Sequence, residues 1–100
     1  MLDYKLEEKQ DIIEVIITGE VDMFNAAELK NISISAGKNV VMNCLGLEYI
    51  DSTGLGAMVN LLKKAKNHGG TVRITGLKPQ IYKLFMLTEL DSIFDIEVAQ

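Results

Sequence analysis

The chain has one cysteine, one histidine, one proline and no tryptophan in 100 residues. Each scarcity removes a kind of chemistry. The lone cysteine, Cys44, forbids an intrachain disulfide. It sits in the apolar run "VVMNCL", which suits a small buried hydrophobe; a reactive thiol needs a neighbouring cation or base, and the sequence names none. The lone histidine, His68, would have to carry any Ser-His-Asp triad or histidine metal site by itself. It stands in "NHGG", a turn-like run that reads as a helix end, so a structural role is expected. Basic charge is also scarce: 10 Lys and Arg against 14 Asp and Glu leave a net charge of −4, which gives no electrostatic reason to expect nucleic acid. Lys63, Lys64 and Lys66 do cluster, but on one helix they read as a solvated face. No apolar run approaches the ~20 residues of a membrane span. The opening "MLDYKLEEKQ" is charged from its third residue, unlike a signal peptide. A soluble cytoplasmic protein is expected, with neither nucleic acid nor membrane as a partner.

What is present is an ordinary globular composition, 48% hydrophobic, with no repeats, linkers or low-complexity segments. The length predicts one domain over residues 1–100. "DIIEVIIT", bounded by Gly19, reads as a largely buried strand over 11–18. Alternating Leu2, Tyr4 and Leu6 suggest a weaker strand before it, joined through a turn that lacks the usual Gly or Asn. Asn25-Ala26-Ala27-Glu28 resembles a capping box, with Phe24 and Leu29 at the positions of a hydrophobic staple. A short helix over 26–33 follows, then a second buried strand over 39–45. From Leu55 the apolar residues fall at Leu55, Met58, Val59, Leu62 and Ala65, a helical spacing that predicts a helix over 53–67 stopped by Gly69-Gly70. "TVRIT" alternates like a strand. Pro79 suits the first position of a helix over 79–87, with Ile81, Leu84 and Phe85 inward. The tail predicts a last helical turn and a short strand near 94–98. Strands and helices alternating after a hairpin predict an α/β fold with a four- to five-stranded mixed sheet and three to four helices packed on it.

One stretch is unusual. "YIDSTGLG" (Tyr49 to Gly56) sets an acid, two hydroxyls and two glycines between apolar runs. Helix capping explains one of Asp51, Ser52 and Thr53 but hardly all of them. The carboxyl end of a strand in an open α/β sheet is also where ligands and chemistry collect. A serine there sits at a helix mouth whose amides and dipole favour an anion, so a phosphate on Ser52 would be tolerated. Gly54 and Gly56 leave the corner open to another backbone. Catalytic readings fail on the letters. A nucleophile elbow needs Gly where Ile50 precedes Asp51. A Walker loop needs Ser or Thr where "AGKNV" has Asn39, and a dinucleotide fingerprint needs Gly where Val59 stands. No catalytic residue, metal ligand or cofactor is assigned.

"GEVD" at Gly19 to Asp22, "YIDSTGLGAM", "LKP", and Leu87, Leu90 and Phe94 in "L-x-x-L-x-x-x-F" occur in one order. Together they closely resemble the anti-sigma factor antagonist family, the single-domain STAS proteins, across essentially the whole chain. The resemblance implies a partner-switching protein rather than an enzyme. The unphosphorylated form would bind an anti-sigma factor with serine kinase activity and so release a sigma factor. Phosphorylation of Ser52, the serine after the motif acid, would end binding, and a PP2C-type phosphatase would reverse it. Asp22 falls at the family's other motif acid, beside the phosphorylation site; Thr53 occupies the next motif position and is not the acceptor. The partner-binding surface is expected at Glu20, Asp22, Met23, Asp51, Ser52, Thr53, Gly54 and Gly56. Met23 is the clue to the loop: an unbranched apolar residue among polar ones suits an adaptable interface, although it could instead pack inward. "NISISAGKNV" is shorter than is common in the family, which implies a clipped first helix.

Rival readings differ in class. An aspartyl-phosphate receiver could use Asp51 and Lys78-Pro79, but Val21 separates the acids that would have to hold Mg²⁺. A small nucleotide-binding or hydrolytic enzyme would need a base near Ser52, and no histidine or cysteine is placed to serve. A STAS subunit of a transporter or stress-sensing complex would keep the fold and drop the switch.

Overall fold

The computed structural model describes residues 2–35 and 37–100. A hairpin opens it: β1 (Leu2–Glu8) pairs antiparallel with β2 (Ile12–Val21), Leu6 opposite Val15. Lacking Gly or Asn, the turn closes with the Lys9 N–H donating to the Ile12 carbonyl at 2.8 Å. Then come α1 (Ala26–Lys30), β3 (Asn39–Ile50), α2 (Ser52–Asn67), β4 (Val72–Leu77), α3 (Pro79–Leu87), a 3-10 turn at Leu90–Ser92 and β5 (Asp95–Val98). The five strands form one mixed sheet in the order β1-β2-β3-β4-β5, parallel after the hairpin. This is the α/β architecture the alternation of elements predicts.

Each parallel connection steps one strand in the same direction, so right-handed crossovers lay every helix on one face. Burial follows that geometry. Ile13, Val15 and Ile17 of β2, Val40, Met42 and Cys44 of β3, and Val72 and Ile74 of β4 are buried; Ile12, Glu14, Ile16, Val41, Asn43 and Arg73, which alternate with them, are not. Helix α2 supplies the opposite wall with Leu55, Met58, Leu61, Leu62 and Ala65. Burying a side chain of this size contributes about 1.5–3 kcal/mol, so α2 is the main seal of the core. Phe85 and Phe94 meet edge to face, ring centroids 5.8 Å apart. Leu84, expected inward, is 37% exposed; Ile81 and Phe85, four residues apart, already fill the stripe on α3.

Four boundaries differ from the sequence reading, the simplest being β4, expected over 71–75 and found to run on to Leu77. β2 does not stop before Gly19: that residue takes φ 93 and the strand continues to Val21 through irregular pairing. β3 runs past Leu45 to Ile50, because Gly46 lets the two strands approach; a Cβ there would lie 3.1 Å from Thr18 Oγ1 and 3.3 Å from the Ile17 carbonyl. Helix α1 ends at Lys30 instead of near residue 33. There Lys64 Nζ donates to the carbonyls of Lys30 (2.7 Å) and Ile32 (2.9 Å), a cation closing a helix C-terminus. Ile32 and Ile34 beyond it are buried without being helical. Ala36 of the short connection lies outside the described residues.

The consequence for function is at one end of the sheet. β3 pairs with β4 only over Val40 to Asn43, but with β2 from Asn39 to Ile50. The carboxyl ends of β2 and β3 therefore project together, Val21 beside Ile50, and the Asp51 N–H donates to the Val21 carbonyl at 3.1 Å. Asp22 and Asp51 leave the sheet at the same corner.

Candidate functional site

Asp51 is the N-cap of α2, with extended backbone at φ −103 and ψ −176. Its Oδ1 accepts from the Gly54 N–H at 2.8 Å, and its Oδ2 accepts from the Met23 N–H at 3.0 Å. One carboxylate thus caps the helix and pins the β2–α1 loop against it. With the cap satisfied, Ser52 and Thr53 have no such duty. Both are exposed, and neither hydroxyl has a hydrogen-bond partner among the described residues. The fold needs the acid of "DST"; it does not need the hydroxyls. Ser52 also begins the helix, where amides without intrahelical partners and the positive dipole end face outward.

The loop opposite is built by Asp22 and Asn25. Asp22 Oδ1 accepts from the Phe24 N–H at 3.0 Å, and the Asp22 carbonyl accepts from the N–H groups of Asn25 and Ala26. Asn25 is the N-cap residue of α1 but makes no side-chain cap bond. Its Oδ1 accepts from the Asp22 N–H, and its Nδ2 donates to the Glu20 carbonyl, both at 2.9 Å. The predicted capping box is therefore absent: Asn25 braces the loop in place of the helix. The predicted staple is absent too, since Phe24 is 89% exposed while Leu29 is fully buried. Met23 is 67% exposed, which removes the reading in which it packs into the core. A tightly hydrogen-bonded loop holds two large apolar side chains out in solvent.

Glu20 is exposed at the end of β2, in register with exposed Tyr49 on β3. The glycines of the motif separate. Gly54 is buried, and a Cβ on it would lie 2.6 Å from Ile50 Cγ1 and 2.7 Å from the Val21 carbonyl, so its role is to let α2 seat on the sheet. Gly56 is exposed, with nothing within 4 Å of a Cβ built on it. The sequence places the loop from Glu20 to Phe24 beside the contact surface but assigns the Phe24 side chain an inward staple role, and it assigns Tyr49 no role at all. The available signal was the pair of adjacent apolar residues after "GEVD", which a motif search for polar groups passes over.

Residues of the rival readings lie elsewhere. Lys78 Nζ donates to the carbonyls of Leu45 (2.8 Å) and Leu47 (3.1 Å), covering the β3 backbone beyond the end of its pairing with β4. Burial pushes the Cys44 thiol up to about 12, with Lys78 pulling the other way; such a thiol stays protonated and unreactive. His68 is the exposed C-cap of α2. Among the described residues no cluster of His, Cys, Asp or Glu could hold a metal ion, and no helix is long and apolar enough to cross a membrane.

The fold and the corner define a class: a one-sided α/β domain with a pinned loop of exposed apolar side chains beside an open helix N-terminus. The STAS domain model matches residues 3–99, and the chain belongs to that family. The anti-sigma-B factor antagonist of Bacillus subtilis is 30% identical over 98 residues, covering 95% of this chain and 90% of that protein. Among solved structures, an anti-sigma factor antagonist from Mycobacterium paratuberculosis superposes with a TM-score of 0.83 at 21% identity, over 97% of this chain and 86% of that one. The Bacillus cell-fate determinant SpoIIAA, in its phosphorylated form, gives 0.68 at 17% identity over 96% and 92%. At those identities the two structures speak to the fold.

Proposed function

We infer that this chain is an anti-sigma factor antagonist: unmodified, it binds an anti-sigma factor that is also a serine kinase, and phosphorylation of Ser52 ends the binding. The observation that carries the reading is the division of labour at the corner. Asp51 uses both carboxylate oxygens on Gly54 and Met23, and leaves the Ser52 hydroxyl exposed and unengaged on the first turn of α2. A hydroxyl so placed is accessible to a kinase, and the helix end tolerates the dianion it would become. The relative from Bacillus subtilis supports the class of partner. Asp22, Glu20 and Thr53 flank the acceptor, and Met23 supplies apolar contact. A PP2C-type phosphatase completes the cycle. The protein acts by occupying a surface rather than by catalysis, in the cytoplasm where sigma factors work.

The test is intact mass after incubation with the cognate kinase and ATP. A gain of one phosphate in the natural chain and none in Ser52→Ala supports the reading. A phosphate still added to Ser52→Ala removes Ser52 as the acceptor.

A further inference from the structure

Beside the Ser52 corner, an open groove of about 390 Å³ runs between α1 and α2, lined by Met23, Ala26, Ala27, Lys30, Thr53, Gly56, Ala57 and Asn60. Its volume sits at the low end of small-molecule sites, which commonly span about 300–1,000 Å³. Half of its lining residues are Ala or Gly, whose small side chains leave the space between the helices open. Gly56 is the informative residue. Within a helix Gly costs roughly 0.5–1 kcal/mol relative to Ala, and this one has neither a positive φ nor any neighbour that a Cβ would touch. Nothing inside the molecule accounts for it. Gly54, two residues earlier, is accounted for by backbone contact. A close approach from outside would account for Gly56.

Charge narrows what approaches. Lys30 lies on the groove wall, and its ammonium has no hydrogen bond or ion pair among the described residues. The nearby Lys64 is committed to the carbonyls that end α1. Lys5, Lys9, Lys38 and Arg73 each have an acidic partner, while Lys63, Lys66 and Lys83 are unpaired like Lys30 among the described residues; of these cations only Lys30 lines the groove. An apolar trough with an unpaired cation on its wall complements an apolar side chain that has a carboxylate close by.

We propose that this groove is a second contact site for the anti-sigma partner: it receives an apolar side chain from one partner helix, and Lys30 pairs with an Asp or Glu about one helical turn away on that helix. The inference rests on the partner reading above, but extends the interface from Ser52 along both helices and makes Lys30 and Gly56 determinants of which partner is accepted. The groove contacts are separate from Ser52, so they set affinity and identity while the serine sets the state.

The probe is the anti-sigma factor that the natural chain binds, added to protein carrying ¹³C-labelled alanine methyls. The Ala27 and Ala57 signals are expected to shift on binding, while Ala65 and Ala99, away from the groove, stay in place. Ala27→Arg and Lys30→Glu, both compatible with a helix, are expected to weaken binding at least tenfold without altering the far-ultraviolet circular dichroism. A Lys introduced for the partner's acid should restore affinity to Lys30→Glu. Unmoved Ala27 and Ala57 signals, or variants that bind like the natural chain while Ser52→Asp does not, would overturn the groove and leave the Ser52 switch standing. If no anti-sigma factor binds the natural chain at all, the partner reading fails and the groove proposal fails with it.

Discussion

At the scale of single residues, the molecule separates groups that serve the fold from groups the fold leaves free. Gly54 and Gly56 make the contrast measurable. Gly54→Ala drives a Cβ into the Val21 carbonyl, which cannot rotate away, and should cost about 1–3 kcal/mol in urea unfolding. Gly56→Ala meets nothing and should stabilise by about 0.4–1 kcal/mol. Equal effects at the two positions would show that the motif glycines share one structural role. Asp51→Asn should loosen the Met23 loop, visible as faster hydrogen exchange at the Met23 amide; unchanged exchange there would deny the pin. Cys44 supplies the pH test. Its folded-state thiol is held up to about 12 by burial, whereas the unfolded thiol ionises near the ordinary value of about 8.5. Between those values the folded chain keeps a proton that the unfolded chain has lost, so this contribution to stability is whole at low pH and falls as pH rises through the window. Cys44→Ala should show a shallower alkaline decline than the natural chain. Parallel declines would place the thiol in contact with solvent.

At the scale of elements, the sequence was legible wherever one physical rule acted alone. Of the predicted stripe, Leu55, Met58, Leu62 and Ala65 are buried as the helical spacing requires and Val59 is half-buried, with Leu61 taking the centre of the face. Pro79 does begin α3. Leu61→Ala, at the fully buried centre of α2, should cost about 2–5 kcal/mol by the same unfolding measurement; a loss under ~1 kcal/mol would mean that α2 does not seal the core. Legibility failed where a residue had two possible uses. Gly19 and Gly46 resemble punctuation, yet one bends β2 and the other permits close approach within β3. Asn25 has the identity and spacing of a cap, yet its side chain serves the loop. Local propensity cannot choose between a helix amide and a loop amide, because both satisfy the same oxygen; the strand ends beside it decide. Of the candidate site, Asp51, Ser52 and the loop at Asp22 were readable as a motif. The pairing of Asp51 with Met23, 28 residues apart, depends on β2 and β3 lying side by side, and the exposure of Phe24 follows from it.

At the scale of the whole molecule, one face of the sheet carries all the helices, and the ends of β2 and β3 deliver an acidic corner to its rim. A phosphate on Ser52 adds about −1.5 to −2 charges to a chain that already carries −4. Within the domain the first turn of α2 offsets this by roughly 0.3–1 kcal/mol, so the fold persists. Across an interface there is no such compensation, since Asp22 and Asp51 stand on the same corner. A loss of two to three kcal/mol there corresponds to roughly thirty- to two-hundred-fold in affinity. The measurement that bears most directly on the account is therefore the dissociation constant of the anti-sigma factor for four forms: natural, Ser52-phosphorylated, Ser52→Ala and Ser52→Asp, each with its unfolding midpoint. The account predicts tight binding by the natural and alanine forms, binding weakened by that factor in the other two, and similar midpoints throughout. Equal affinity of the natural, phosphorylated and Ser52→Asp forms would contradict it.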